Sequence, residues 1–362
     1  MEQLNKPSRV KALADKSRDS VGRVAHLYNP RTWKEKGLVW TVGLALVTYA
    51  IVVVVLGILW SREPDFFDVR ANALEKVDGD ETKLVPGVIT TATVMHVAET
   101  LLYKPGGYLS NDIFPPGLYL DNMPNWEFGA LLELRDSLQA LRNDFSRSQS
   151  QSVEDKDLTI AQPQFNYDSE SWILPSTESE YKKGLRALES YLGRLYDEQA
   201  QDGQFLTRAD NLREYLVIVE KRLGSLAQRL GASVGQLRYN LNLAGDPNAE
   251  QSTSTPSQEL VQTPWLQIDD VFYEARGYTW ALLHTLYAIE VDFRQVLRDK
   301  NAEVSLRQII RELKSANDPM WSPMVLNGTG FGPLANHSLV MASYISRANA
   351  AIIDLRGLLQ QG

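Results

Sequence analysis

The chain has 362 residues, no cysteine and a formal net charge of −8. The absence of cysteine excludes a disulfide-stapled fold, and a chain of this length can bury a large hydrophobic core without disulfide bonds. The acidic balance argues against a nucleic-acid partner, because a phosphate backbone repels an acidic surface and no basic stripe lies beyond the N-terminal segment.

Residues 1–37 form a basic segment with nine Lys or Arg and four acidic residues, a net charge of +5. Residues 61–362 hold 28 basic and 41 acidic residues, a net charge of −13. Short flanks rich in Lys and Arg stay on the cytoplasmic side of a membrane, so we predict a cytoplasmic tail at 1–37. The tail either lies on the anionic inner leaflet as a basic amphipathic helix or is a solvated segment that only sets topology.

Residues 38–60 read LVWTVGLALVTYAIVVVVLGILW and contain no charged side chain. At about 1.5 Å per residue, a helix of this length matches a hydrocarbon core about 30 Å thick. Trp40 and Trp60 stand near its ends, where indole side chains favour the membrane interface. We predict a retained transmembrane helix rather than a cleaved signal peptide, because the apolar run is too long and residues 61–64 offer no small-residue cleavage site.

The charge difference across this helix predicts a cytoplasmic N-terminus and a large domain on the other side of the membrane. A large exported domain without cysteine is more typical of a bacterium than of a eukaryote. We therefore predict a protein of the bacterial inner membrane whose bulk lies in the periplasm, with the lipid bilayer as a partner.

After a predicted polar stem at 61–86, residues 87–362 read as a series of helices. Apolar residues alternate steps of three and four along five rows. The rows run from Leu131 to Phe145, Tyr181 to Leu195, Phe205 to Leu230, Ile268 to Val296 and Met341 to Leu359. This spacing places the apolar residues of each helix along one seam that faces its neighbours. No stretch shows the sustained alternation of apolar and polar residues that is typical of a strand. The predicted fold is all-α: one N-terminal transmembrane helix followed by an extracytoplasmic antiparallel helical bundle.

The row that starts at Ile268 is accompanied by a second row of small residues on the opposite side of the helix. Gly277, Ala281 and Ala288 would let another helix approach closely, so we predict a central helix buried on two sides. The polar segments 146–157 and 245–263 are predicted to be linkers between helices.

Two loops carry the most specific local sequence: KPGGYLSNDIFPPGLYLDNMPNW at 104–126 and DPMWSPMVLNGTGFGPLANH at 318–337. Structured aromatic loops on a helical scaffold often bind ligands. The alternative is that both loops cap the ends of the bundle and seal its core, since exposed apolar patches are uncommon without a partner. If a binding surface exists, its candidate residues are Tyr108, Asp112, Tyr119, Trp126 and Trp321.

The sequence carries no motif of a metal site, an activated nucleophile or a phosphate-binding glycine loop. We therefore predict no catalytic residue, no metal and no cofactor. His284 lies roughly on one helix face with Asp270 and Glu274, and we favour a hydrogen-bonded core histidine over a ligand. Glu127 beside Trp126 is a candidate acid for an alternative glycan-cleaving activity.

The basic tail, the single apolar helix and the segments GGYLSNDIFPPG and DNMPNWEFG resemble a family of uncharacterised proteobacterial single-span inner-membrane proteins. The resemblance covers nearly the whole chain and implies an inner-membrane location, with no activity attached to it. We expect a non-enzymatic periplasmic scaffold or interaction protein with an envelope protein as partner and oligomer formation left open. The alternatives are a glycan hydrolase or lyase, and a ligand-binding sensor bundle that acts through a partner.

Overall fold

The structure is a computed structural model that describes residues 26–147, 153–197, 202–239, 258–329 and 331–361. The chain divides into two compact units, Met1–Ile58 and Leu59–Gly362. The predicted linkers at 146–157 and 245–263 and most of the basic tail at 1–37 fall wholly or partly outside the described residues. The described residues are mostly helical, which confirms the helical class predicted from the sequence.

The first unit contains helix α1 (Pro30–Lys36) and most of helix α2 (Leu38–Trp60). Asn29 caps α1, because its side-chain oxygen accepts a hydrogen bond from the backbone N–H of Arg31. Within the described part of the chain, α2 is the one helix long and apolar enough to cross a membrane, and its side chains are almost all uncovered by protein. Its bounds agree with the predicted apolar span.

The second unit adds ten α-helices over its described residues. They are α3 Val69–Lys76, α4 Val88–Tyr103, α5 Asn122–Ala140, α6 Leu158–Phe165, α7 Thr177–Leu195, α8 Ala209–Gly231, α9 Ile268–Asp292, α10 Arg294–Asp299, α11 Glu303–Ala316 and α12 His337–Gln360. Single 3-10 turns lie at Glu81–Lys83, Gly117–Tyr119, Ala232–Val234 and Trp265–Gln267, and a π-helical turn at Leu141–Phe145 follows α5. Most of their apolar rows merge into one continuous core.

A short hairpin interrupts the helical pattern. Strand β1 (Gln236–Tyr239) pairs antiparallel with β2 (Gln258–Val261), with Gln236 opposite Val261. No strand is predicted here from the sequence. The side chains of β2 are largely exposed, so neither face is buried and no alternation of apolar and polar residues marks the pair.

Helices α5 and α9 cross at a pair of glycines. A Cβ atom at Gly277 would lie 1.9 Å from the carbonyl oxygen of Trp126, and one at Gly129 would lie 1.9 Å from that of Glu274. The predicted close approach at Gly277 is confirmed. Asn125 and Asp270, near the starts of α5 and α9, are hydrogen-bonded, and further along both helices Tyr278 donates to Asp136. The two helices therefore run in the same direction, and antiparallel packing does not hold for this pair.

The segment predicted as a polar stem is packed against the helical core. Asp68 caps α3, whose residues Asn72 and Ala73 are buried, and the Asn72 side chain donates a hydrogen bond to the carbonyl oxygen of Ala92 in α4. The polar segment 61–86 therefore contains a short helix with one buried face.

Several helix ends meet at one end of the second unit, which we call the loop end. The start of α9 lies beside the start of α12, with the rings of Phe272 and His337 6.2 Å apart. Arg276 in α9 donates to the carbonyl oxygen of Ala316 at the end of α11, 3.4 Å away. The opposite end contains the last turns of α9, where Glu290 accepts a hydrogen bond from Arg307 near the start of α11.

Candidate functional site

Both predicted loops lie at the loop end. The α4–α5 loop comprises residues 104–121 and the α11–α12 loop comprises residues 317–336. They meet at a hollow of about 230 Å³, where Asp121 of the first loop lies beside Met324 of the second. Trp265 and Leu266, which precede α9, complete its apolar wall. The sequence alone did not place the two loops together, because apolar spacing carries no information on which helix ends meet.

The first loop is shorter than predicted, because α5 begins at Asn122 rather than beyond Trp126. The Asp121 side chain accepts a hydrogen bond from the backbone N–H of Asn122 and so caps the helix. Pro124 lies within the first turn, where a missing N–H costs no helical hydrogen bond.

Tyr108 and Asp112 lie inside the first loop rather than on its surface. The Tyr108 hydroxyl donates to the carbonyl oxygen of Ser169 at 3.0 Å, and its ring packs edge-on against Tyr181. Burial raises the pKa of the Tyr108 hydroxyl well above its usual value. Asp112 is half-buried, and burial together with the nearby Glu178 raises the pKa of its carboxyl. Both side chains therefore support the loop from within.

Trp126 is a core residue. It is 0% exposed, and its indole lies 5.1 Å from that of Trp280 in α9. A fully buried ring presents no surface to a partner. We therefore do not retain Trp126 as a binding residue, although its aromatic character in a loop-like sequence suggested one.

Tyr119 and Trp321 are the two candidate residues that face solvent, at 71% and 96% exposure. They belong to a wider set of exposed apolar side chains at the loop end. This set comprises Tyr103, Ile113, Phe114, Leu118, Tyr119, Trp172, Ile173, Leu174, Leu237, Tyr239, Leu260, Trp265, Leu266, Trp321, Met324, Phe331 and Leu334. Exposed apolar surface of this extent makes the loop end the candidate for an interaction face.

A groove of about 380 Å³ opens beside Trp321, between α9, α11 and α12. Met320, Met341 and Tyr344 form part of its apolar wall. Arg276 lies at its base with 5% exposure and donates two hydrogen bonds of 2.6 Å to the carboxylate of Glu63. Because Arg276 also donates to the carbonyl oxygen of Asp318, it fixes the start of the second loop.

Glu127, the acid considered for glycan cleavage, is fully buried and forms an ion pair with Lys104. Its carboxylate also accepts hydrogen bonds from the backbone N–H groups of Leu109 and Ser110, each 2.9 Å at its closest. Burial raises the pKa of Glu127, and the Lys104 ammonium opposes that shift. This carboxyl organises the first loop and does not reach solvent.

His284 is a hydrogen-bonded core histidine, as predicted. Its Nε2 accepts a hydrogen bond from the backbone N–H of Phe67 at 3.2 Å, so the proton is on Nδ1, which donates to the carbonyl oxygen of Trp280 at 2.8 Å. The Phe67 ring stacks on His284 with 4.0 Å between centroids. Burial lowers the pKa of His284 to about 4. The ring is therefore neutral at physiological pH.

The alternative considered for His284, a ligand cluster with Asp270 and Glu274, does not form. Asp270 accepts from Asn125, and Glu274 forms an ion pair with Arg229. Among the described residues, no group of three His, Asp or Glu side chains is arranged to hold a metal ion.

The burial of two acids in α5 is not predicted from the sequence. Glu133 accepts hydrogen bonds from Ser137 at 2.6 Å and from the Tyr215 hydroxyl at 3.0 Å, and Asp136 forms an ion pair with Arg222. A row of small residues on α5, including Gly129 and Ser137, was the available signal of a second buried face. The leucine row alone suggested that these acids faced solvent.

Glu133→Gln is expected to raise the free energy of unfolding by about 1 to 3 kcal/mol at pH 8. Burial raises the pKa of Glu133 from 4.5 to about 7. Between pH 4.5 and pH 7, the folded state therefore keeps a proton on this carboxyl that the unfolded state has released. The contribution of protonated Glu133 to wild-type stability should therefore be fully present below pH 4.5 and should be lost as pH rises through 7. Thermal unfolding from pH 5 to 8 checks this: a variant that is less stable than wild type at pH 8 would contradict the assignment.

A family model described as "Uncharacterized protein conserved in bacteria (DUF2333)" matches residues 33–362. No curated protein and no solved structure matches the chain. The matched range begins inside α1 and includes α2 and the described second unit. The predicted resemblance to an uncharacterised bacterial family is confirmed.

Proposed function

The chain belongs to this bacterial family, and we propose that it is a non-enzymatic scaffold protein of the cell envelope. In this proposal, α2 anchors the chain in the inner membrane and the N-terminus is cytoplasmic. The helices of the second unit form a largely antiparallel bundle in the periplasm. The loop end binds another envelope protein, with Trp321 at the centre of the contact.

The anchoring role is supported by composition and charge. Helix α2 has 23 residues, carries no charge and leaves its apolar side chains uncovered by protein. The segment before it carries a net charge of +5, and the segment after it −13. This asymmetry favours retention of the short basic flank in the cytoplasm and export of the acidic bulk.

The observation that carries the binding role is the exposed Trp321 at the mouth of an apolar groove. Protein interfaces are enriched in aromatic, Met and Arg side chains, and a few such residues supply most of the binding energy. Trp321, Met320 and Met324 provide this chemistry on a loop whose base is fixed by Arg276. A protruding apolar segment of a partner, such as one face of an amphipathic helix, would fit this groove.

Binding rather than catalysis is favoured by the state of Glu127. A general acid must reach its substrate, whereas the Glu127 carboxyl is enclosed and already bonded to Lys104, Leu109 and Ser110.

A photo-crosslinking amino acid at Trp321 tests the proposal in native membranes. We expect a discrete adduct with one envelope protein, identified by mass spectrometry. Val304, which is 76% exposed at the start of α11, is the matched control and should give no such adduct. Equal crosslinking patterns from both positions, or no adduct at Trp321, would overturn the proposed interaction.

A further inference from the structure

A second exposed apolar surface lies on the loop end, and the groove beside Trp321 does not include it. We call it the apolar rim: Phe114, Leu118 and Tyr119 of the α4–α5 loop, and Trp172, Ile173 and Leu174 of the segment before α7. Their exposures run from 47% for Trp172 to 89% for Leu174. The rim is contiguous across the two segments, since the rings of Phe114 and Trp172 are 6.2 Å apart.

Buried polar contacts hold the two segments of the rim together. The Asn111 side chain is 5% exposed and donates to the carbonyl oxygen of Ser171 and to the carboxylate of Glu178, both at 2.9 Å. Tyr108 makes a parallel connection to Ser169. The apolar side chains are therefore presented on a fixed support rather than on loose chain.

The backbone of Leu174 has an unfavourable conformation. Its φ is +58°, a left-handed conformation that costs a non-glycine residue about 1 kcal/mol or more. Burial does not offset that cost, because Leu174 is 89% exposed. An exposed leucine held in this conformation is a candidate for contact with a surface outside the chain.

The end of the apolar helix contacts one of the two segments that carry the rim. Trp60, the last residue of α2, packs against Gly106 in the same α4–α5 loop, where a Cβ atom would lie 2.7 Å from the indole. Three residues later, Glu63 is held by the buried Arg276. Trp60 and Glu63 are thus both held at the loop end of the second unit.

We propose that the apolar rim rests in the interfacial layer of the lipid bilayer, on the periplasmic side. This inference rests on the proposed anchoring by α2. If α2 spans the membrane, Trp60 lies at the interface, and the rim lies on the loop that Trp60 contacts. Tryptophan, tyrosine, phenylalanine and leucine are the side chains that insert at this depth.

The charge around the rim determines the kind of lipid contact. Residues 105–121 and 167–176 contain no Lys or Arg, and they carry the acids Asp112, Asp121, Asp168 and Glu170. Attraction to anionic headgroups therefore does not hold the rim, and apolar insertion does. We expect the contact to be insensitive to salt, unlike that of a basic membrane-binding segment.

The full chain, reconstituted in vesicles of phosphatidylethanolamine and phosphatidylglycerol, tests this inference. The absence of native cysteine allows one bimane label at a time, on Leu174→Cys, Phe114→Cys, Val304→Cys or Leu46→Cys. Nitroxide-labelled lipid reports contact with the bilayer, and iodide reports contact with water. Val304 is the water-facing control, and Leu46, exposed at the middle of α2, reports insertion of the anchor.

We expect lipid nitroxide to quench the labels at Leu174, Phe114 and Leu46 severalfold more strongly than the label at Val304, at low and high salt. The inference would be overturned, and the anchoring proposal would stand, under one combination of results. In that combination, lipid nitroxide strongly quenches the label at Leu46, while iodide reaches the labels at Leu174 and Phe114 as readily as the label at Val304. If both rim labels are protected from lipid nitroxide and from iodide, the rim contacts protein instead of lipid, and this result would also overturn the inference. Lack of lipid quenching at Leu46 would overturn the anchoring proposal itself.

Discussion

Gly277→Ala is expected to lower the free energy of unfolding by about 3 kcal/mol or more, although it adds a single methyl group. The new Cβ would lie 1.9 Å from the carbonyl oxygen of Trp126, a backbone atom of α5 that moves only if the two helices separate. Separation would open the centre of the core, where Trp126 and Trp280 pack together. Chemical denaturation followed by far-ultraviolet circular dichroism measures the loss.

Gly193→Ala provides the matched control for this prediction. Gly193 lies within α7, and a Cβ atom there would meet nothing within 4 Å. Alanine should therefore stabilise the helix by up to about 1 kcal/mol through its higher propensity. A Gly277→Ala protein as stable as the Gly193→Ala protein would contradict the close crossing of α5 and α9.

Lys104→Met is expected to lower the free energy of unfolding by about 3 to 5 kcal/mol. The Lys104 and Glu127 side chains are 2% and 0% exposed, so loss of the ammonium leaves a carboxylate buried without a counter-charge. Glu127→Gln should cost a similar amount, because it leaves the ammonium unpaired. In both single variants the acceptor for the backbone N–H groups of Leu109 and Ser110 remains, so the loss comes from the unpaired buried charge.

The double variant Lys104→Met with Glu127→Gln distinguishes an ion pair from two independent contacts. A glutamine oxygen still accepts from Leu109 and Ser110, and no buried charge remains. We expect the double variant to be more stable than either single variant, with a coupling energy of about 1 to 3 kcal/mol. Strictly additive losses would show that the two side chains do not act as a pair.

The sequence was most informative where a single physical requirement dominates. The apolar helix at 38–60 follows from the length and absence of charge that a bilayer demands. The helical rows follow from burial along one seam, and Gly277 followed from the small residues opposite such a seam. Each of these patterns is local, so it can be read without knowing which elements meet.

The candidate site was harder to predict, because burial of aromatic side chains depends on tertiary contacts. Trp126 and Tyr119 are both aromatic and close in sequence, yet one is buried against Trp280 and the other faces solvent. The relative direction of packed helices could not be predicted either, since the spacing of apolar residues is the same for a parallel and an antiparallel neighbour. The buried Glu133 was missed because the side chain that covers it from another helix, Tyr215, lies 82 residues away in the sequence.

The central claim is that α2 spans the membrane and leaves the helical unit outside the cytoplasm. Labelling of single cysteines in intact spheroplasts with a membrane-impermeant maleimide tests it most directly. Val304→Cys and Glu35→Cys report the two sides, and both positions are exposed in the structure. We predict labelling of Val304→Cys in intact spheroplasts and of Glu35→Cys only after the membrane is permeabilised; the reverse pattern, or protection of both positions, would contradict the account.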